Sequence, residues 1–233
     1  MKNKSWSNIF DGSNFSMLIA GSSGSGKTML LKEILRSCQK NYDYIVVLCP
    51  SLEFSGDYNE FEDVERPEKD GKSGGKRYTM FGEYDPDIIR EIMESQSDII
   101  RRYGKERCPK VMIILDDCLE FLRQHSLIEK LFFKGRHINI SPICLVQKLK
   151  GVSTILRVNT RYAIFFRAGN SSEIEHFLEA YTGKKERKII EPELLEWFKE
   201  LYSFLFCDFK TQEFQNRYIL GKDGKLVRPI QWD

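Results

Sequence analysis

The octapeptide GSSGSGKT at residues 21–28 leaves this chain few ways to fold. It matches G-x-x-x-x-G-K-[ST] at every fixed position, between the apolar run FSMLIA (15–20) and the amphipathic run MLLKEILRSCQ (29–39). Glycines let a backbone curl until its N–H groups point inward, and a helix that follows adds the positive end of its dipole. Strand, loop and helix are therefore predicted in that order, and the ligand such a loop receives is a chain of phosphates. The candidate nucleotide-binding stretch is Gly21, Ser22, Ser23, Gly24, Ser25, Gly26, Lys27, Thr28 and the adjoining Met29. Lys27 is expected to reach the β- and γ-phosphates of a nucleoside triphosphate, and the Thr28 hydroxyl to ligate Mg2+.

The rest of the chain continues the alternation. YIVVLCP (44–50), VMIIL (111–115), SPICLVQ (141–147) and RYAIFFR (161–167) read as buried strands. Helices are expected at 85–103, where Asp85 and Pro86 suit an N-cap and first helical position, and at 172–181 and 191–201. YSFLFCDF and NRYILG, around the polar KTQEFQ, suggest a closing hairpin. Strands that alternate with helices imply an α/β fold, a mostly parallel sheet wrapped on both faces. The expected division is an N-terminal segment 1–14, a nucleotide-binding domain 15–210 and a C-terminal hairpin strand and tail 211–233. Residues 62–77, with five acids, five bases and four Gly or Pro, are expected to form a mobile excursion.

Several chemistries are disfavoured. The six cysteines (38, 49, 108, 118, 144, 207) are scattered and partly inside apolar runs, which argues against a zinc ribbon or a disulfide framework and for a reducing, intracellular setting. His125, His137 and His176 lack ligand companions and read as surface or packing residues. No apolar run approaches the roughly 18–20 residues that cross a bilayer, and MKNKSWSNIF does not read as a secretory signal, so a soluble protein without stable membrane insertion is expected.

The strand at 111–115 delivers two adjacent carboxylates. Asp116 is the candidate Mg2+ ligand, and Asp117 the candidate base that orients or deprotonates an attacking water, with Glu120 a weaker alternative. Asp117 also fits a plain helix cap near Cys118. Gln147, at the tip of a neighbouring strand, is placed to sense the γ-phosphate. From Lys130 to Ser172 the chain carries no Asp or Glu, although its own composition predicts about six. The window holds Lys130, Lys134, Arg136, Lys148, Lys150, Arg157, Arg161 and Arg167. Such bases serve as fingers on a transferring phosphate or as contacts to a nucleic-acid backbone, the latter use fitting Lys148 and Lys150 in KLKGVST.

Taken in order, GSSGSGKT, ILDD, GRHINISPICLVQ and LRVNTRYAIFFR resemble the FtsK/HerA superfamily of P-loop ATPases, over roughly residues 15–210. Within it the chain is similar to the genome-packaging ATPases of poxvirus-type large DNA viruses, virophages and tailless membrane-containing phages. The resemblance implies a RecA/ASCE-like P-loop fold, and an ATP- and Mg2+-dependent motor that moves double-stranded DNA into a capsid. It implies a ring homo-oligomer, a pentamer or hexamer, working with a capsid or portal-vertex protein at the assembly site of an infected cell and carried in the virion. In that family a Gln ends the fourth core strand, as Gln147 does here, and a finger arginine precedes that strand. Arg136 is the first choice, and Arg157 and Arg161 are alternatives. The family's second acid is often Glu, where this chain has Asp117. The alternatives are another FtsK/HerA-type translocase, a small nucleotide kinase, suggested by SGSGK, or a nucleic-acid-binding module with a structural nucleotide.

Overall fold

The computed structural model describes residues 10, 12–66, 74–118, 126–167, 171–181, 191–192, 194–210, 213–220 and 226–227. Six strands are parallel: β1 (Met17–Ala20), β2 (Tyr44–Leu48), β3 (Tyr78–Phe81), β4 (Val111–Leu115), β5 (Ile140–Val146) and β6 (Tyr162–Phe166). Antiparallel β7 (Ser203–Asp208), β8 (Glu213–Leu220) and β9 (Leu226–Val227) extend the same sheet, in the order β3-β2-β4-β5-β1-β6-β7-β8-β9.

Side-chain alternation along β1 explains why the sheet needs cover on both faces. Met17 and Ile19 pack with Leu30, Leu31, Ile34 and Leu35 of helix α1 (Lys27–Cys38). Leu18 and Ala20 face the other way, into a cluster with α4 (Ser126–Lys134), α5 (Thr154–Val158) and α6 (Ser171–Tyr181), after the short α2 (Leu52–Ser55) and the long α3 (Pro86–Tyr103). Fully burying each large apolar side chain contributes about 1.5–3 kcal/mol. The α3 start is as its sequence predicts: Pro86 opens the helix, and the Asp85 side chain accepts from Asp87 N–H at 2.8 Å.

The sequence reading departs from the fold in a few places. Strand β3 escapes it because only Tyr78 of YTMF is buried, whereas all four residues of the equally short β1 are. The expected helix 191–201 is helical at 191–192 and 194–197 and then turns. Tyr202, with a left-handed φ of 59°, redirects the chain into β7. The base of the 62–77 excursion is hydrogen-bonded to the fold. Glu65 and Lys76 form an antiparallel bridge, Arg77 N–H donates to Val64 O at 2.8 Å, and buried Arg77 donates to Gln39 O at 2.6 Å and to Tyr42 O. Its tip, 67–73, lies outside the described residues, as do Glu120 and His125. All six cysteines are buried thiols outside any disulfide. Among the described residues no helix is long and apolar enough to cross a membrane.

Candidate nucleotide site

β1, β4 and β5 all end at one edge of the sheet, and β5 lies between the other two. The phosphate loop after β1 is pinned to β5, since Gly21 N–H donates to Val146 O at 3.1 Å. A Cβ on Gly21 would lie 2.7 Å from the Phe166 Cβ and 2.7 Å from Ser25 Oγ, so a side chain there would push the loop off β6. Gly26, at φ 100°, makes the turn into α1. That helix has no side-chain N-cap and no acid in its first turn. Its positive end and unpaired N–H groups are therefore left to an external anion. The Ser25 Oγ is buried without a hydrogen-bond partner, a second polar group that a phosphate oxygen would satisfy. Thr28 is half-buried in the first turn, and Met29 beside it is exposed. Ser22, Ser23 and Gly24 line the exposed outer curve of the loop.

The Lys27 ammonium folds over the loop, donating to Gly21 O at 2.8 Å and Ser22 O at 2.9 Å. Burial lowers its pKa, against the opposing pull of Asp116 and Asp117. Asp116 is 8% exposed, and burial raises its pKa despite a hydrogen bond from Tyr58 and the charge of Lys27. Both charges are thus held partly out of water, an arrangement that a bound cation and polyphosphate would relieve.

Asp117 adopts a left-handed backbone, φ 55°, which aspartate tolerates better than most residues. Simple alternation would send its side chain to the face opposite Asp116. The left-handed turn instead brings its Oδ1 to Gln147, whose Nε2 donates to it at 3.0 Å. Both side chains are exposed at the strand tips. The edge thus gathers Lys27, Thr28, Asp116, Asp117 and Gln147, while the helix-cap alternative for Asp117 falls next to 119–125, outside the described residues.

The candidate arginines lie elsewhere. Arg136 and Arg161 precede β5 and β6 and sit at the opposite edge of the sheet. The six rises of β5 alone span about 20 Å, beyond a side chain's reach. Arg136 is exposed, and its Nε donates to His137 Nε2 at 3.3 Å. Arg161 is engaged within the chain: Asp208 at 4.0 Å, Ser13 Oγ at 3.3 Å, and the Tyr162 ring at 4.7 Å. Arg157, on α5, lines a cleft of about 350 Å3 with Lys150, Thr154, His176 and Glu179. Lys148 and Lys150 are exposed directly after Gln147, and Leu149 N–H between them is held by Glu173 Oε2 at 3.3 Å. Arg167, after β6, lies at the same edge as the loop.

Tyr58 is the site residue that sequence reasoning missed. It is fully buried, and its hydroxyl donates to Asp116 Oδ2 at 2.7 Å. A lone aromatic within SGDYNE is the one sequence signal that marks it.

The sequence model of the Poxvirus A32 protein family matches residues 5–194, a span that contains the acid-bearing strand, the loop and β5. The chain belongs to this family. It is 27% identical over 180 residues to the DNA packaging protein OPG160 of Variola virus, covering 76% of this chain and 61% of that relative's length. It is 23% identical over 194 residues to uncharacterized protein 015R of Frog virus 3, covering 82% of this chain and 56% of that one. Among solved structures, B204, the DNA-packaging ATPase of Sulfolobus turreted icosahedral virus, superposes with a TM-score of 0.60 at 18% identity, over 93% of this chain and 98% of B204. The pCW3 conjugation coupling protein TcpA, bound to ATPγS, superposes with a TM-score of 0.57 at 15% identity, over 85% of this chain and 58% of TcpA. The chain therefore shares the mostly parallel P-loop ATPase fold of these proteins. It spans about three-fifths of the length of the Variola virus relative.

Proposed function

We propose that this chain hydrolyses ATP to drive double-stranded DNA into a capsid. The observation that carries the reading is the Gln147–Asp117 hydrogen bond, at the same sheet edge as Lys27 and Asp116. A carboxylate beside the γ-phosphate can orient or deprotonate an attacking water, and Asp117 and Gln147 are both open to solvent, whereas a kinase must exclude water there. The donor set also fits the metal. Among the described residues no three His, Cys, Asp or Glu cluster, and Mg2+ is normally held by one or two carboxylates plus substrate phosphates. Thr28 and Asp116 would hold it, and Mg2+ would supply charge neutralisation at the transferring phosphoryl group.

The protein groups divide the remaining work. Lys27 exchanges its bonds to Gly21 O and Ser22 O for the β- and γ-phosphate oxygens. Asp117 accepts a proton from the attacking water or aligns it, and the Gln147 amide fixes the carboxylate's direction. Departure of the γ-phosphate shifts the Asp117–Gln147 pair, and Gln147 carries that shift into the adjoining Lys148–Lys150 turn. That turn follows the DNA backbone with the charge of Lys148 and Lys150, in a stretch without acids.

Arg136 is the proposed finger. It is exposed, remote from its own loop, and less engaged within the chain than Arg161. A finger that serves another copy's site requires a cyclic oligomer. The test is ATPase rate per chain against protein concentration, with and without duplex DNA. The expected result is a specific rate that rises with concentration and with DNA, and Arg136→Ala should flatten the concentration dependence. A specific rate independent of concentration, DNA and salt contradicts the proposal.

A further inference from the structure

We infer that Tyr58 is a positioning residue for the metal-binding carboxylate, fixing which oxygen of Asp116 faces the nucleotide. The inference rests on the reading of Asp116 as the Mg2+ ligand.

Tyr58 lies in the connection between β2 and β3, far from the motif in sequence. Gly56, at φ 59°, turns the chain after α2, and Asn59 N–H then donates to Gly56 O at 3.3 Å. Phe61 N–H donates to Tyr58 O at 2.9 Å, and the Phe61 ring stacks on Tyr78 at 5.0 Å. This local fold presses the Tyr58 ring into the cluster beneath α1. A phenol buried this deeply needs a partner for its hydroxyl, and an ionised carboxylate only accepts. The bond to Asp116 Oδ2, 2.7 Å, is thus a charge-assisted one donated by tyrosine.

The consequence is geometric. A lone carboxylate at a strand end swings about its terminal torsion, which is broad for aspartate. With Oδ2 engaged by Tyr58, that torsion is fixed and Oδ1 is the oxygen that remains for a cation. Asp116 N–H, donating to Leu48 O at 3.0 Å, holds the backbone below it. Partners of this kind, which orient a ligand without touching the metal, typically govern metal affinity by about 10–100-fold.

The test is Tyr58→Phe in the full chain, which keeps the ring and removes the donor. Binding of a fluorescent, non-hydrolysable ATP analogue is titrated with Mn2+ and, separately, measured in EDTA. Mn2+ occupancy is read directly by electron paramagnetic resonance. Tyr58→Phe should raise the half-saturating Mn2+ concentration about tenfold and leave metal-free analogue affinity within about twofold. Asp116→Asn should shift the Mn2+ titration further. If Asp116→Asn shifts it and Tyr58→Phe does not, the positioning role is wrong. If Tyr58→Phe weakens both arms equally, the residue is only part of the packing, and the inference fails as well. If Asp116→Asn leaves the titration unmoved, the assignment of the metal ligand itself fails, and the Tyr58 inference with it.

Discussion

Replacing Gly21 with alanine tests whether the phosphate loop is shaped by its contact with β6. The new methyl carbon would sit 2.7 Å from the Phe166 Cβ, which is fixed to the backbone and has no rotamer of escape. Ser25 Oγ, also at 2.7 Å, can rotate away. An ordinary contact begins near 3.4 Å, so loop and strand must separate by about 0.7 Å. Overpacking of this size costs about 1–3 kcal/mol. At about 2–4 °C per kcal/mol for a chain of this length, melting should fall by about 2–12 °C. The same displacement moves the loop backbone N–H groups away from the phosphate position, so affinity for an ATP analogue should fall about tenfold or more, roughly 1.4 kcal/mol. Gly24→Ala is the control. Gly24 has a left-handed φ of 72° with nothing within 4 Å of the added carbon, so it pays only backbone strain of about 1–2 kcal/mol. Differential scanning fluorimetry and analogue titration read both effects. A Gly21→Ala protein that melts and binds like the wild type would refute the steric reasoning.

Asp116→Asn should abolish hydrolysis yet raise the melting temperature at neutral pH. Burial raises the Asp116 pKa above its unfolded value, so the folded state binds its proton more tightly, and stability is lost as pH rises from the unfolded pKa to the folded one. Above that window the penalty is fully present, and asparagine removes it; an unchanged or lower melting point in thermal scans at pH 7 would contradict this. Gln147→Ala should reduce single-turnover ATP cleavage by about 10–100-fold while leaving analogue binding within about twofold, because it frees Asp117 without touching the phosphate loop. The buried thiols, with Cys38 pushed up to about 12 and Cys49, Cys118, Cys144 and Cys207 also raised by burial, should resist a thiol reagent at pH 8 until the chain unfolds. Rapid labelling of the native protein would contradict the burial of these groups.

What could be read from the sequence follows from which forces act locally. The phosphate loop, α1 and the five buried parallel strands were legible because periodicity and glycine placement are written in neighbouring residues. Asp116 and Gln147 could be placed because each terminates such a strand. The Tyr58–Asp116 bond joins residues 58 positions apart, and only tertiary packing brings them together. β3 was hidden for a related reason: it pairs with β2 on one side only, so YTMF need not be apolar throughout. At the base of the 62–77 excursion composition reports solvation, and the contacts of Arg77 with the Gln39 and Tyr42 carbonyls are set by tertiary packing. Three arginines looked equivalent as charges, and the fold separates them by what each already touches.

The central claim, that the edge formed by Lys27, Asp116, Asp117 and Gln147 powers movement along DNA, is tested most directly by displacement of a third strand. A triplex-forming oligonucleotide annealed to duplex DNA is released only by a protein that travels along the duplex. The assembled wild-type protein should release it in the presence of ATP and Mg2+, and should fail with a non-hydrolysable analogue or after Lys27→Ala. Release at wild-type rates by Lys27→Ala, or hydrolysis of ATP on DNA with the third strand left in place, would contradict the account.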